Sequence, residues 1–155
     1  MKEIKELRKR REKHFINNNG TITAYMYNRD IHYKKNGKWE DIDNTLLEEN
    51  NEFFNSHNSF KTTFNKNNLL KVEKDNDYLI ININDAKNYD LKRRGNNVIK
   101  LNSVINNIDV DYNLEGEKLK ESIILKSKED ILEKLIFNVE TNLDLKIENG
   151  KIYTY

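Results

Sequence analysis

A two-residue rhythm of apolar and polar side chains constrains this chain more than any other feature. Residues 21–28 read Thr-Ile-Thr-Ala-Tyr-Met-Tyr-Asn, with Ile22, Ala24 and Met26 on one face and Thr23, Tyr25 and Tyr27 on the other. Successive side chains of a strand point to opposite faces, so this alternation suits a strand and not a helix. It returns at 108–114, where Ile108, Val110, Tyr112 and Leu114 alternate with Asp109, Asp111 and Asn113, and at 132–140, with Leu135, Phe137 and Val139 on one face. Asn36-Gly37 and Asn149-Gly150 tolerate the positive φ of a two-residue turn, which predicts hairpins from strands 31–35 with 38–43 and 143–147 with 152–155. Further strands are predicted at 60–64, 69–73, 78–84, 98–101 and 119–126, with loops at 46–59, 85–97 and 127–130. About ten to twelve short strands separated by turns predict an all-β fold, an antiparallel β-sandwich.

The first fourteen residues break the rhythm. Residues 1–13 hold seven basic and three acidic groups, a surplus of +4 that leaves −3 for the rest of a chain of net charge +1. Ile4 and Leu7 stand three apart among good helix formers. Residues 1–14 are therefore expected as a basic leader, helical or disordered, ahead of a single sandwich domain at 15–155. Two apolar residues give that leader no membrane-binding face. A balance of 27 basic against 26 acidic residues argues against nucleic acid as a partner. No run approaches the roughly 18 apolar residues of a membrane span, so no membrane insertion is expected. The chain has no Cys and no Pro, which excludes disulfides, thiolate metal sites, Cys nucleophiles and polyproline ligands.

Residues arranged for chemistry are few. His14, His32 and His57 fall in different segments, without a second ligand at metal spacing. Asp41-Ile42-Asp43 and Asp109-Val110-Asp111 each put two acids on one strand face, some 6–7 Å apart, as the wet side of an alternating strand also would. Nucleophile-elbow and phosphate-loop motifs are missing. Lys92-Arg93-Arg94 reads as a solvated loop. No catalytic residue, cofactor or metal is expected. Glu121 is the one awkward position. Folding 119–126 back on 108–114 puts its carboxylate on the face of Val110 and Tyr112, where an unpartnered charge costs several kcal/mol. A basic partner, a tyrosine hydroxyl or a bulge after Glu121 would each resolve the conflict.

The string Ile31-His32-Tyr33-Lys34-Lys35-Asn36-Gly37-Lys38-Trp39-Glu40-Asp41-Ile42-Asp43-Asn44-Thr45-Leu46 resembles a signature near the start of large surface proteins of Gram-positive bacteria that carry DNRLRE domains and RHS repeats. Phe53-Phe54-Asn55, the run 58–64, the run 104–114, and Leu119-Lys120-Glu121-Ser122-Ile123-Ile124-Leu125-Lys126 resemble later pieces of the same region, in the same order. The family's Pro after Phe64 is Asn65 here. The resemblance implies a β-rich module of a secreted or wall-associated polypeptide, structural or adhesive rather than enzymatic. Its partner would be the remainder of the larger polypeptide or cell-wall glycan. His32, Tyr33, Trp39, Asp43, Asn44, Tyr112, Lys120 and Glu121 then read as a structural motif, with Asp43 and Asn44 capping a turn and Trp39 supplying buried area. No export signal is visible, so the surface location rests on the resemblance and a cytoplasmic one stays open. Two alternatives accompany this reading. Tyr25, Tyr27, Tyr153 and Tyr155 offer flat rings for stacking on wall glycans, and paired acids in a cleft would mark a glycosidase-like fragment.

Overall fold

The computed structural model describes residues 1–86, 89–105, 107–127 and 134–154. Three strands open the chain, β1 (Lys2–Glu3), β2 (Glu12–Ile16) and β3 (Ile22–Met26), and a hairpin of β4 (His32–Lys35) and β5 (Lys38–Asp41) follows. Next come β6 (Leu47–Glu49), β7 (Glu52–Phe54), β8 (Lys61–Phe64), β9 (Leu70–Lys74) and β10 (Asp77–Ile83). Four more strands are β11 (Asp90–Arg94), β12 (Val98–Ile105), β13 (Ile108–Glu115) and β14 (Lys118–Leu125). The last are β15 (Phe137–Thr141) and the hairpin β16 (Leu145–Glu148) and β17 (Lys151–Thr154). The described residues thus hold seventeen strands, every pairing antiparallel.

Two large sheets make the body of the molecule. One runs β15-β10-β9-β8-β7-β6 and the other β11-β12-β13-β14. Leu46, Phe53, Phe64, Leu69, Leu70 and Ile83 from the first side share one buried cluster with Ile99, Leu101, Val104, Val110, Tyr112 and Leu114 from the second. The rings of Phe64 and Tyr112 meet across the interface at 5.4 Å. Polar stitches join the same sheets at their rims: the Tyr89 hydroxyl donates to the Asn65 carbonyl (3.1 Å), and Arg93 Nη1 donates to the Leu46 carbonyl (2.7 Å). The fold is all-β and sandwich-like, as the alternation predicts. Strand β13 shows the cause most clearly, because Ile108, Val110, Tyr112 and Leu114 are all at most 2% exposed.

The structure corrects the sequence reading in three places. More strands form than expected because β6, β7 and β11 lie in the polar stretches read as loops. Each pairs through backbone groups that need no apolar rhythm, and Phe53 alone anchors β7 in the core. Residues 1–14 are neither the helix nor the disordered segment expected. They form β1, a single 3-10 turn (Lys5–Leu7) and the start of β2, and the expected boundary after residue 14 falls inside that strand. Charge pairing is the reason: Arg8, one of the seven basic residues of that segment, is only 7% exposed and bonds to Glu3 and Asp41. Finally, Ile22 and Met26, on the apolar face of β3, are 57% and 80% exposed. The expected loop at 127–130 and the start of the strand expected at 132–140 lie largely outside the described residues.

Candidate functional site

The signature string folds as the β4–β5 hairpin because Asn36 (φ 50°) and Gly37 (φ 77°) both take the left-handed conformation its turn requires. The register sets His32 opposite Asp41 and Lys34 opposite Trp39. These four side chains share one face, the face that receives the N-terminal sheet. The Lys9 carbonyl lies 2.6 Å from His32 Nδ1, so that nitrogen carries the proton and donates. His32 Nε2 faces Asp41 at 3.5 Å, and the ring is fully buried.

Arg8 is the fastener. Its guanidinium donates to Glu3 from Nε (2.7 Å) and Nη2 (2.9 Å), to Asp41 from Nη2 (2.9 Å) and to the Trp39 carbonyl from Nη1 (3.3 Å). Lys13 Nζ adds a second cation on Asp41 at 2.5 Å. Hydrogen bonds from Arg8 hold the Glu3 carboxyl below its usual range. Burial works against the Asp41 carboxylate, but Lys13 and Arg8 outweigh it and keep its pKa low.

Beside this fastened floor runs a groove of about 730 Å³, walled by Lys5, Glu6, Arg8, Trp39, Asp41 and His57. Trp39 is half-buried, with the Lys34 ammonium 5.2 Å from its ring centre. In contrast to the floor, the rim is uncommitted. Lys5, Glu6, Lys38 and the indole N–H of Trp39 have no side-chain partner among the described residues.

The remaining motif residues serve the frame. Asp43 Oδ1 accepts from the Thr45 N–H (2.9 Å), the turn cap expected of it, and this bonding to Thr45 lowers its pKa. Asn44 instead reaches across the fold. Its Nδ2 donates to the Gly116 carbonyl (3.0 Å), and Asn58 Nδ2 donates both to that carbonyl (2.9 Å) and to Asn44 Oδ1 (2.8 Å). Tyr33 is buried on the opposite hairpin face, where burial and then Glu40 push its hydroxyl pKa up. Glu121 is exposed at the edge of the sheet, so its carboxylate is not buried as the sequence suggests; the Tyr112 hydroxyl, itself buried, reaches out and donates to Glu121 Oε2 at 2.5 Å. The register of β13 on β14 runs unbroken from Glu115↔Lys118 to Ile108↔Leu125, without a bulge. Lys120 is exposed opposite Asn113.

Two functional-looking groups escaped the sequence reading. Arg8 was hidden in a basic run, and only its pairing with Asp41, 33 residues on, distinguishes it. Asp109, read as part of a wet face, is 3% exposed. It fills the irregularity between Leu101 and Ile105 in β12, accepting from the Ser103 N–H (2.8 Å) and pairing with Lys126 (2.7 Å) and Lys100 (3.4 Å). Burial alone would raise its pKa, but Lys126, Ser103 and Lys100 together lower it.

The tyrosines of the alternative reading stand in different sheets. Tyr25 (44% exposed, edge-on to Phe15) and Tyr27 (40%) belong to the N-terminal sheet and its exit, Tyr153 (42%) to β17, and Tyr155 lies outside the described residues. Among the described residues, no group of three His, Asp or Glu side chains is placed to hold a metal ion, and no helix is long and apolar enough to cross a membrane. No protein-family model matches this chain, and neither a curated protein nor a solved structure does.

Proposed function

We propose that this chain is a non-enzymatic structural and adhesion module of a larger secreted or wall-associated polypeptide. One observation carries this reading: two small sheets leave apolar faces open. On β16–β17, Leu145, Ile147 and Ile152 share a face and are 48%, 77% and 64% exposed. On β2–β3, Ile16 and Ile22 stand side by side, 42% and 57% exposed, on a face that Met26 (80%) shares with Ala24, His14 and Glu12. A lone two-stranded ribbon is marginally stable in water, and contiguous apolar surface on a soluble protein usually marks a contact site. Further β-structure of a longer polypeptide is a fitting cover for both faces. The resemblance of residues 31–46 to the start of DNRLRE and RHS-repeat surface proteins points the same way. So does the use of charge, since Arg8, Asp41, Asp109 and Glu121 are engaged in bonds that hold strands and sheets together.

Dye binding and light scattering test the proposal. The native chain is expected to enhance the fluorescence of an apolar dye and to self-associate as its concentration rises. The paired change Ile147→Lys and Ile152→Lys should remove a large part of both effects without altering the far-ultraviolet circular dichroism. A chain that stays monomeric and leaves the dye dark contradicts the proposal.

A further inference from the structure

We propose that the groove beside Trp39 is a binding site for a neutral oligosaccharide. The inference stands apart from the packing role of the apolar faces, because it concerns another part of the surface and another kind of partner. Three observations converge on it.

The first is rigidity. The floor of the groove is held by Arg8, bonded at once to Glu3, Asp41 and the Trp39 carbonyl. A site built on such a fastened frame loses little freedom when a ligand arrives. The second is size. About 730 Å³ lies within the roughly 300–1,000 Å³ typical of small-ligand pockets.

The third is chemistry. The groove presents a half-buried indole whose N–H has no acceptor, next to free side chains of both signs, Lys5 and Glu6 on the 3-10 turn and Lys38 on β5. An indole offers a flat apolar surface and a polar edge. A pyranose ring matches it, with C–H groups for the flat surface and hydroxyls that both donate to Glu6 and accept from Lys5 and the indole N–H. An anion such as phosphate is a poorer match, because Glu6, Glu40 and Asp41 offset the cations lining the groove. An apolar peptide is poorer still, because Trp39 is the only large apolar side chain in the lining.

Trp39 is the only tryptophan in the chain, so intrinsic fluorescence reports on the groove directly. Titration with the trimer of N-acetylglucosamine, whose acetamide carbonyls are acceptors for the indole N–H, should shift the emission to the blue and saturate with a Kd of about 0.1–1 mM. The double change Lys5→Ala with Glu6→Ala touches only exposed side chains. It should weaken binding about tenfold while leaving the melting temperature unchanged. Trp39→Phe, followed by calorimetry, should weaken binding as well. No saturable response to the trimer up to ~10 mM, a response undiminished in the double variant, or saturable binding of inorganic phosphate to the same groove would each overturn the proposal.

Discussion

Tyr112 and Glu121 face each other across β13 and β14, one ring in the core and one carboxylate at its edge. Burial, and then the bond to Glu121, push the tyrosine hydroxyl pKa far up, so it stays a donor at any ordinary pH. A hydrogen bond to a charged acceptor is worth about 1.5–3 kcal/mol when its loss strands a buried group. Tyr112→Phe removes the donor and leaves Glu121 in water, so a loss of about 1–2 kcal/mol is expected. Glu121→Ala strands the buried hydroxyl and should cost at least as much, read as a fall of roughly 2–4 °C in melting temperature per kcal/mol. An unchanged melting temperature for Glu121→Ala would remove its structural role. Asp109 sets a pH limit. Its folded pKa lies below the ordinary 3.8, so its contribution is complete above that value and is lost as the pH falls through it towards the folded pKa. Glu3 and Asp41 act in the same direction from 4.5 and 3.8. Thermal melts are therefore expected to hold steady from neutral pH down to near those ordinary carboxylate values and to drop below them. Asp109→Asn should lower stability at neutral pH by about 1–3 kcal/mol and flatten part of the acid limb. An acid limb identical to that of the parent would show that Asp109 contributes none of it.

At the scale of elements, the turn between β13 and β14 joins more of the molecule than its length suggests. Gly116 has φ +55°, and a Cβ there would stand 2.9 Å from the Asp30 carbonyl oxygen, while Asn44 and Asn58 both donate to its own carbonyl. Gly37 has φ +77° but open space around it. Gly116→Ala should cost about 2–3 kcal/mol and Gly37→Ala only about 1 kcal/mol, a difference that urea melts resolve. Equal costs would mean that the Asp30 contact yields freely. The elements differ in how plainly the sequence announces them. The β4–β5 hairpin and β13 are legible because Asn-Gly geometry and strict alternation are local properties. Strands β6, β7 and β11 are not, because pairing through the backbone leaves no mark on side chains rich in Asn, Glu and Lys. The N-terminal arm is illegible for a different reason. Whether Arg8 is solvated or fastened depends on Glu3 and Asp41 arriving at the same point, and no window of sequence contains that meeting. The groove shares this property: Trp39 and Asp41 sit in the signature string, whereas Lys5, Glu6 and His57 reach it only through the fold.

As a whole, the molecule divides into one cooperative body and attachments that depend on others. The body is the pair of facing sheets joined through Phe64, Tyr112 and their neighbours. The alternation on β3 has the same period as that on β13, yet the apolar face of β3 is open. Period identifies a face, and only the packing of the complete chain decides whether that face is covered. The hairpin β16–β17 is exposed at every position, in the manner of a segment waiting for a neighbour. Native-state hydrogen exchange measures this division directly. Amides of β8–β10 and of β12–β13 are predicted to share one highest opening free energy, while those of β16–β17 exchange at a free energy near zero. Protection of β16–β17 equal to that of β13, or separate opening energies for the two large sheets, would contradict the account.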